Sequence, residues 1–190
     1  MSQDVTETDK KLEDLYGLIK GIKSCMMTTR RRDGSLVSRA MTPREPNPKA
    51  ADFWFFSNNA SHKHDELTLD PQVNLSFFNT QTCEWVSVSG VARQVSDRDK
   101  IKELYQPDVK TWLGDLDDGV HNGGPEDPRL SLIFVEARTV HYNLQDIATP
   151  VKYFNIVRGM ITREPPKVAA EHDLSKTELE AARRAEKVEK

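Results

Sequence analysis

Residues 52–78 read DFWFFSNNASHKHDELTLDPQVNLSFF, and the reading of this stretch decides the fold. It holds two apolar runs separated by a short polar segment. The run from Asp52 to Ser57 is aromatic and continuous, and too short for a helix; it suits a strand covered on both faces. Asn58-Asn59 breaks the pattern. Ser61 is placed to cap a short helix with His62, Lys63 and His64 in its first turn and Leu67 and Leu69 as apolar positions. Asp70-Pro71 stops that helix, and Val73–Phe78 returns as a second strand. A strand ending at Ser57 and leading into a helix start with Ser61 and Lys63 is a candidate anion site. First-turn N–H groups, two hydroxyls and an ammonium would converge there.

Toward the N-terminus, Leu12, Leu15, Ile19 and Ile22 recur at helical spacing, so residues 6–22 are expected to form an amphipathic helix lying across the core as a lid. Residues 24–29 and 35–41 read as strands joined by a hairpin at Asp33-Gly34. Pro43, Pro46 and Pro48 make an irregular connection that cannot be a central strand. Toward the C-terminus, residues 84–95 alternate apolar and small polar residues, with Gly90 marking a bulge. Two short helices follow, the second carrying Val109 and Trp112, then a Gly/Asp-rich loop between Gly114 and Pro128. Residues 130–142 form the last clear strand, and Thr149-Pro150 opens a helix containing Tyr153, Phe154, Val157 and Ile161. Residues 1–163 are read as the domain. Residues 164–190 are read as a charged tail, partly helical behind the capping box Ser175-x-x-Glu178, and solvated or packed on a partner. About six strands in hairpin order with interrupting helices give a β-rich α+β barrel with peripheral helices.

Composition excludes several function classes. With 190 residues and a net charge of −3, the chain is long enough for one core and has no basic surface for nucleic acid. Arg30-Arg31-Arg32 sits at the hairpin tip and reads as a solvated turn. No apolar run approaches the roughly 20 residues of a membrane span, and the polar, acidic start does not read as a secretory signal. The expected location is cytoplasmic. Cys25 and Cys83 are read as buried free thiols in strands. His62-x-His64 lacks a third metal ligand, and Asp115, Asp117 and Asp118 lack the register of a calcium loop. There is no nucleophile elbow and no GxGxxG fingerprint.

FFSN and NASHK followed by HDELTLDPQVNLSFF resemble the flavin-phosphate segment of the pyridoxamine 5'-phosphate oxidase-like proteins. The likeness is greatest to the general stress protein 26-like branch and its fungal blue-light-induced relatives, and covers roughly residues 8–163. It implies a six-stranded FMN-binding split barrel and a homodimer with flavin at its interface. FMN is preferred over FAD. Lys63 with Ser57 and Ser61 would hold the phosphate, with His62 beside them. The residues alone leave Lys63 a solvated helix residue and the serines a strand end and a cap. Ser38, Arg39, Ala40 and Met41 would lie along the flavin ring, Arg39 toward phosphate or ring edge. Read without the resemblance, Arg39 belongs to an ordinary strand and pairs with a carboxylate. Phe55 and Phe56 are core or ring-adjacent; Trp85 stacks on the ring or fills the interface; Trp112 opens a segment longer than the branch's own.

The activity implied is redox chemistry on a small molecule, with a nicotinamide nucleotide or another reductant as electron source. The rival is a non-catalytic flavin-binding stress or light-response protein. The chain ends in EHDLSKTELEAARRAEKVEK rather than the Arg-rich segment of the true oxidases, which argues against vitamin B6 oxidation.

Overall fold

The computed structural model describes residues 7–44, 51–145 and 170–188. Alternating burial marks most strands of its sheet, while the strand that opens at Leu130 is buried on both faces at its start. β1 (Cys25–Arg30) turns Cys25, Met27 and Thr29 inward. It folds back into β2 (Leu36–Met41) through Gly34, whose φ of +85 favours a residue without a Cβ. β3 (Phe53–Asn58), β4 (Gln72–Phe78), β5 (Trp85–Val95) and β6 (Leu130–Leu144) complete an antiparallel sheet in the order β2-β1-β4-β5-β6-β3. A backbone bridge between Arg44, just after β2, and Trp54 of β3 brings the two ends of that order together. This is the rolled, split-barrel sheet that the resemblance implies, with seven strands among the described residues against the six expected.

Among the described residues five helices cover the sheet. α1 (Glu7–Ile22) buries Leu12, Leu15, Leu18 and Ile19 against the barrel interior. α2 (Lys63–Leu69) connects β3 to β4. α3 (Arg98–Leu104) and α4 (Asp108–Leu113) bury Ile101, Leu104 and Val109 with Leu130 and Leu132 in a second, smaller core. The aromatic run of β3 explains itself here. Phe53 and Phe55 fill the main core, while Trp54 and Phe56 pack on the second, so both faces of the strand are covered. Gly90 marks the register shift in β5, as read. A Cβ there would meet the Glu136 carbonyl at 2.7 Å and Val135 Cγ1 at 2.8 Å, so the strands could not approach as they do. Cys25 is buried, and burial pushes its thiol up to about 12. Cys83 corrects the sequence reading: it is exposed, with φ of +62, in the turn before β5. The helix expected after Thr149-Pro150 lies outside the described residues.

The described part of the charged C-terminal segment joins the fold. Residues 170–174 form β7 (Ala170–Leu174), and the capping box opens α5 (Lys176–Val188), with Glu178 accepting from Ser175 N at 2.8 Å and Oγ at 2.7 Å. β6 is longer than either neighbour on its far side. β3 pairs with Leu130–Val135, and β7 with Val140–Leu144. Ala137 lies in the gap between them. Asp52 Oδ1 accepts its N–H at 3.0 Å, Arg183 donates to its carbonyl at 2.5 Å, and the two side chains meet at 2.7 Å and 2.9 Å. An ion pair thus completes the hydrogen bonding that a strand would have supplied. Its members are 12% and 17% exposed, so removing one strands a poorly solvated charge. Arg183→Ala is expected to lower the unfolding free energy by about 3 kcal/mol in urea titrations. A loss within 0.5 kcal/mol, roughly that of an ordinary surface change, would show that the pair does not hold the gap.

Candidate functional site

Two clefts flank α2. The first, about 390 Å³, opens between the end of β2, the end of β3, the start of α2 and helix α4. Ala40, Met41, Phe56, Ser57, Lys63 and Trp112, all singled out from the sequence, line it together. Each arrives by a different route. The hairpin register sets Ala40 against Met26 and Met41 against Cys25 at the end of an edge strand. Ser57 is the penultimate residue of β3, which runs one residue further than expected, and Lys63 is the first residue of α2. Trp112 sits on α4 and is 85% exposed, an unusual state for an indole.

Electrostatics single out Lys63. It is half-buried, and among the described residues no carboxylate forms an ion pair with its ammonium. Desolvation lowers its pKa below the usual lysine value, the Arg39 charge lowers it further, and Glu66 only partly offsets them. A cation in that position favours an incoming anion.

Arg44 also lines this cleft and was not singled out from the sequence. Its guanidinium bonds Asp108 at 2.6 Å and Gln106 at 3.1 Å and lies 5.4 Å from the Phe56 ring centroid. It thereby fixes α4 beside the cleft. The Gly/Asp-rich loop serves the same end. Buried Asp127 bonds the Arg129 side chain at 2.7 Å and 3.1 Å and the Gly123 N–H at 2.7 Å. Arg129 in turn donates to the carbonyls of Leu113 at 3.2 Å and Gly114 at 2.9 Å, directly after Trp112. Among the described residues no group of three or more metal-ligating side chains occurs, and these aspartates act as loop anchors.

The second cleft, about 510 Å³, lies between the β1–β2 hairpin and the other side of α2. Arg39 faces it rather than the first. Both its terminal nitrogens meet Glu66 at 2.8 Å, and Nη1 also donates to Thr29 Oγ1 at 2.9 Å. Thr29 donates to Glu66 at 2.6 Å, and Arg31 Nε lies 3.4 Å from it. The structure therefore places Arg39 on a carboxylate, the reading its residues allowed without the resemblance. Glu66 is 8% exposed, and chiefly the Arg39 hydrogen bonds hold its carboxyl at about 2.

The other expected site residues fall outside the first cleft. His62 occupies the cap position of α2 with its side chain 94% exposed, 3.9 Å from Asp65. Ser61 Oγ accepts the Lys63 N–H at 3.4 Å instead of capping a helix that starts after it. The physical reason is a tight turn: Ser61 N donates to the Asn58 carbonyl and Ala60 N to the Asn58 side chain, so the helix starts late. Phe55 is wholly in the core. Ser38 bonds Thr28 at 2.7 Å on the outer face of the sheet, and Trp85 stands beside Phe78 on that face.

The model of the family described as "Pyridoxamine 5'-phosphate oxidase like" matches residues 10–167. The chain belongs to this family. Within the pyridoxamine 5'-phosphate oxidase-like proteins it is 40% identical over 176 residues to Protein bli-3 of Neurospora crassa, spanning 92% of this chain and 84% of that one. A putative general stress protein 26 from a Jannaschia species has a similar structure. Its TM-score is 0.64 at 14% identity, covering 87% of this chain and 98% of that chain. The general stress FMN/FAD binding protein of Xanthomonas citri gives 0.54 at 24% identity, covering 67% and 84%. At such identities the solved structures speak to the fold, and they agree on the split barrel.

The Glu66 cluster carries a pH signature. Its folded pKa is depressed, so its stabilisation is present above the ordinary 4.5 and is lost as pH falls through about 2. That difference is worth on the order of 3 kcal/mol at neutral pH. Glu66→Gln is expected to be less stable than the parent at pH 7 and to converge on it toward pH 2.5, in urea titrations at both pH values. Parallel curves at every pH would separate Glu66 from acid sensitivity.

Proposed function

We propose that this protein binds FMN and uses it in a redox reaction on a small molecule. The observation that supports this most is Lys63: half-buried, its ammonium without an ion pair among the described residues, lining the same cleft as Ser57, Met41, Phe56 and Trp112. FMN offers a dianionic phosphate at one end and a flat, largely apolar ring at the other. The cleft brings a cation, a hydroxyl, a thioether and aromatic surface together in its lining. The residues present therefore fit the cofactor. Lys63 and Ser57 would hold the phosphate, while Ala40 and Met41, on an edge strand, offer surface and backbone groups for the ring. The Xanthomonas citri relative, described as binding FMN or FAD, keeps both flavins in view. The single phosphate is favoured because, among the described residues, Lys63 is a cation of the cleft without a carboxylate partner, Arg44 being bound to Asp108. A bound flavin supplies hydride and electron transfer itself, so the protein's part is to bind, orient and shield it. The electron source consistent with this reading is a nicotinamide nucleotide or another small reductant.

A homodimer belongs to the same proposal. Met26 and Phe78 are 43% and 56% exposed on the outer face of β1 and β4, with Ala40 and Trp85 as their cross-strand neighbours. Thr28, Ser38 and Ser87 beside them are small and polar, a surface a second copy can approach closely. Ala40 touches both this face and the cleft, which puts the flavin slot beside the contact.

Protein purified without added cofactor is expected to show the two flavin absorption bands. Lys63→Ala is expected to weaken FMN at least about tenfold, the loss of a charge-assisted hydrogen bond, while riboflavin affinity stays unchanged. Equal effects on both ligands would move the phosphate away from Lys63. Steady oxidation of NADH or NADPH by the FMN-loaded protein supports an enzyme; tight FMN without turnover with either favours the binding role. In sedimentation velocity the parent is expected as a dimer and Phe78→Asp as a monomer. A monomeric parent would remove the dimer.

A further inference from the structure

His64 follows Lys63 on α2 and turns the other way, into the protein, where it is 8% exposed. Its Nε2 lies 3.0 Å from the Asn58 carbonyl, 3.2 Å from Ser57 Oγ and 3.5 Å from Ser131 Oγ. The Ser131 hydroxyl donates to the Ser57 carbonyl at 3.2 Å. A carbonyl can only accept, so the Asn58 contact requires the ring hydrogen on Nε2. Nδ1 is then the bare nitrogen, and it is buried with no hydrogen-bond partner among the described residues. A bare acceptor is tolerated in that position better than a buried N–H would be. Burial also holds the ring neutral, pushing its pKa below the usual histidine value.

This protonation state has a consequence for Ser57, which lines the first cleft. The imidazole N–H reaches Ser57 Oγ from within, so the oxygen accepts on that side. Among the described residues the acceptor within reach of the serine's own hydrogen is the Asn58 carbonyl at 3.5 Å, at the limit of a hydrogen bond and already engaged by the imidazole at 3.0 Å. The hydrogen is thereby available to the cleft. We propose that His64 is a positioning residue: by donating to Asn58 O and Ser57 Oγ, it keeps the Ser57 hydroxyl turned outward as a donor to the phosphate beside Lys63. The proposal rests on the flavin-phosphate reading of that cleft. It assigns to a buried histidine a role that neither its exposure nor its helix position suggests.

The test uses the full chain, with FMN and riboflavin as paired probes and fluorescence as readout. His64→Gln places an amide N–H near the position of Nε2 and cannot take the imidazole's charge; His64→Leu removes the donor. In the leucine variant FMN affinity is expected to fall about tenfold, with riboflavin unchanged, and in the glutamine variant FMN affinity is expected to stay within about threefold of the parent. Long-range proton–nitrogen spectra of histidine-labelled protein are expected to show the Nε2–H tautomer at the signal that His64→Gln deletes. The Nδ1–H tautomer overturns the proposal. So does FMN affinity unchanged in His64→Leu, equal loss of both flavins, or loss in the glutamine variant as large as in the leucine one. If His64→Leu does not fold, the glutamine variant and the tautomer decide. A parent that binds neither flavin fails the cofactor reading first and takes this role with it. A parent that binds FMN beside an indifferent His64→Leu fails this role alone.

Discussion

A carboxylate out of water must be surrounded by donors, and Glu66 organises this end of the molecule on that rule. Arg39 from β2, Thr29 from β1 and Arg31 from the hairpin all converge on it, tying three parts of the chain to one helix. The consequence reaches the first cleft through charge. Because Glu66 is engaged by two guanidiniums, it does not neutralise Lys63, whose side chain still feels the positive field of Arg39. The helix is thus fastened by one anion and left short of another, and the shortage faces the cleft. Structural clamp and candidate cleft are two sides of the same seven-residue helix.

Much of this was legible because it depends on short-range pattern. An unbroken aromatic run can only be a strand with two covers, and β3 has them in Phe53 and Phe55 on one side and Trp54 and Phe56 on the other. Asp33-Gly34 and Gly90 announce a tight turn and a close strand approach through the conformations they permit. Six of the twelve expected site residues meet in one cleft because strand register and helix start fixed them locally. What escaped the sequence depends on partners far along the chain. Arg39 and Glu66 are 27 residues apart, and nothing local says that they meet. β7 reads AEHDL, without the apolar alternation that marks a strand, because it lies at the margin of the sheet and sends only Leu174 fully into the core. Cys83 was misplaced because its backbone takes a turn conformation that side-chain chemistry does not announce.

The acidic loop before β6 shows how composition can mislead about purpose. Its aspartates invite a cation, yet Asp118 bonds the backbone N–H groups of Val120 and His121, and Asp127 binds Arg129 and Gly123. The result is a stiffened frame whose carbonyl contacts end directly behind Trp112. An exposed indole at a cleft mouth is useful only if it is held there, and this loop does the holding.

The contact of Arg183 with Asp52 also bears on how the molecule is made. The two residues are 131 positions apart, so the guanidinium is synthesised long after the acid it meets. Until then the nascent barrel carries an uncompensated acid beside an unmet amide at Ala137, and an open margin along β6 where β7 will lie. Vectorial synthesis therefore delivers every large apolar strand before the piece that seals them. The interval is one in which chaperones or a second nascent chain could engage the same margin, so completion of this barrel is timed by translation as much as by burial.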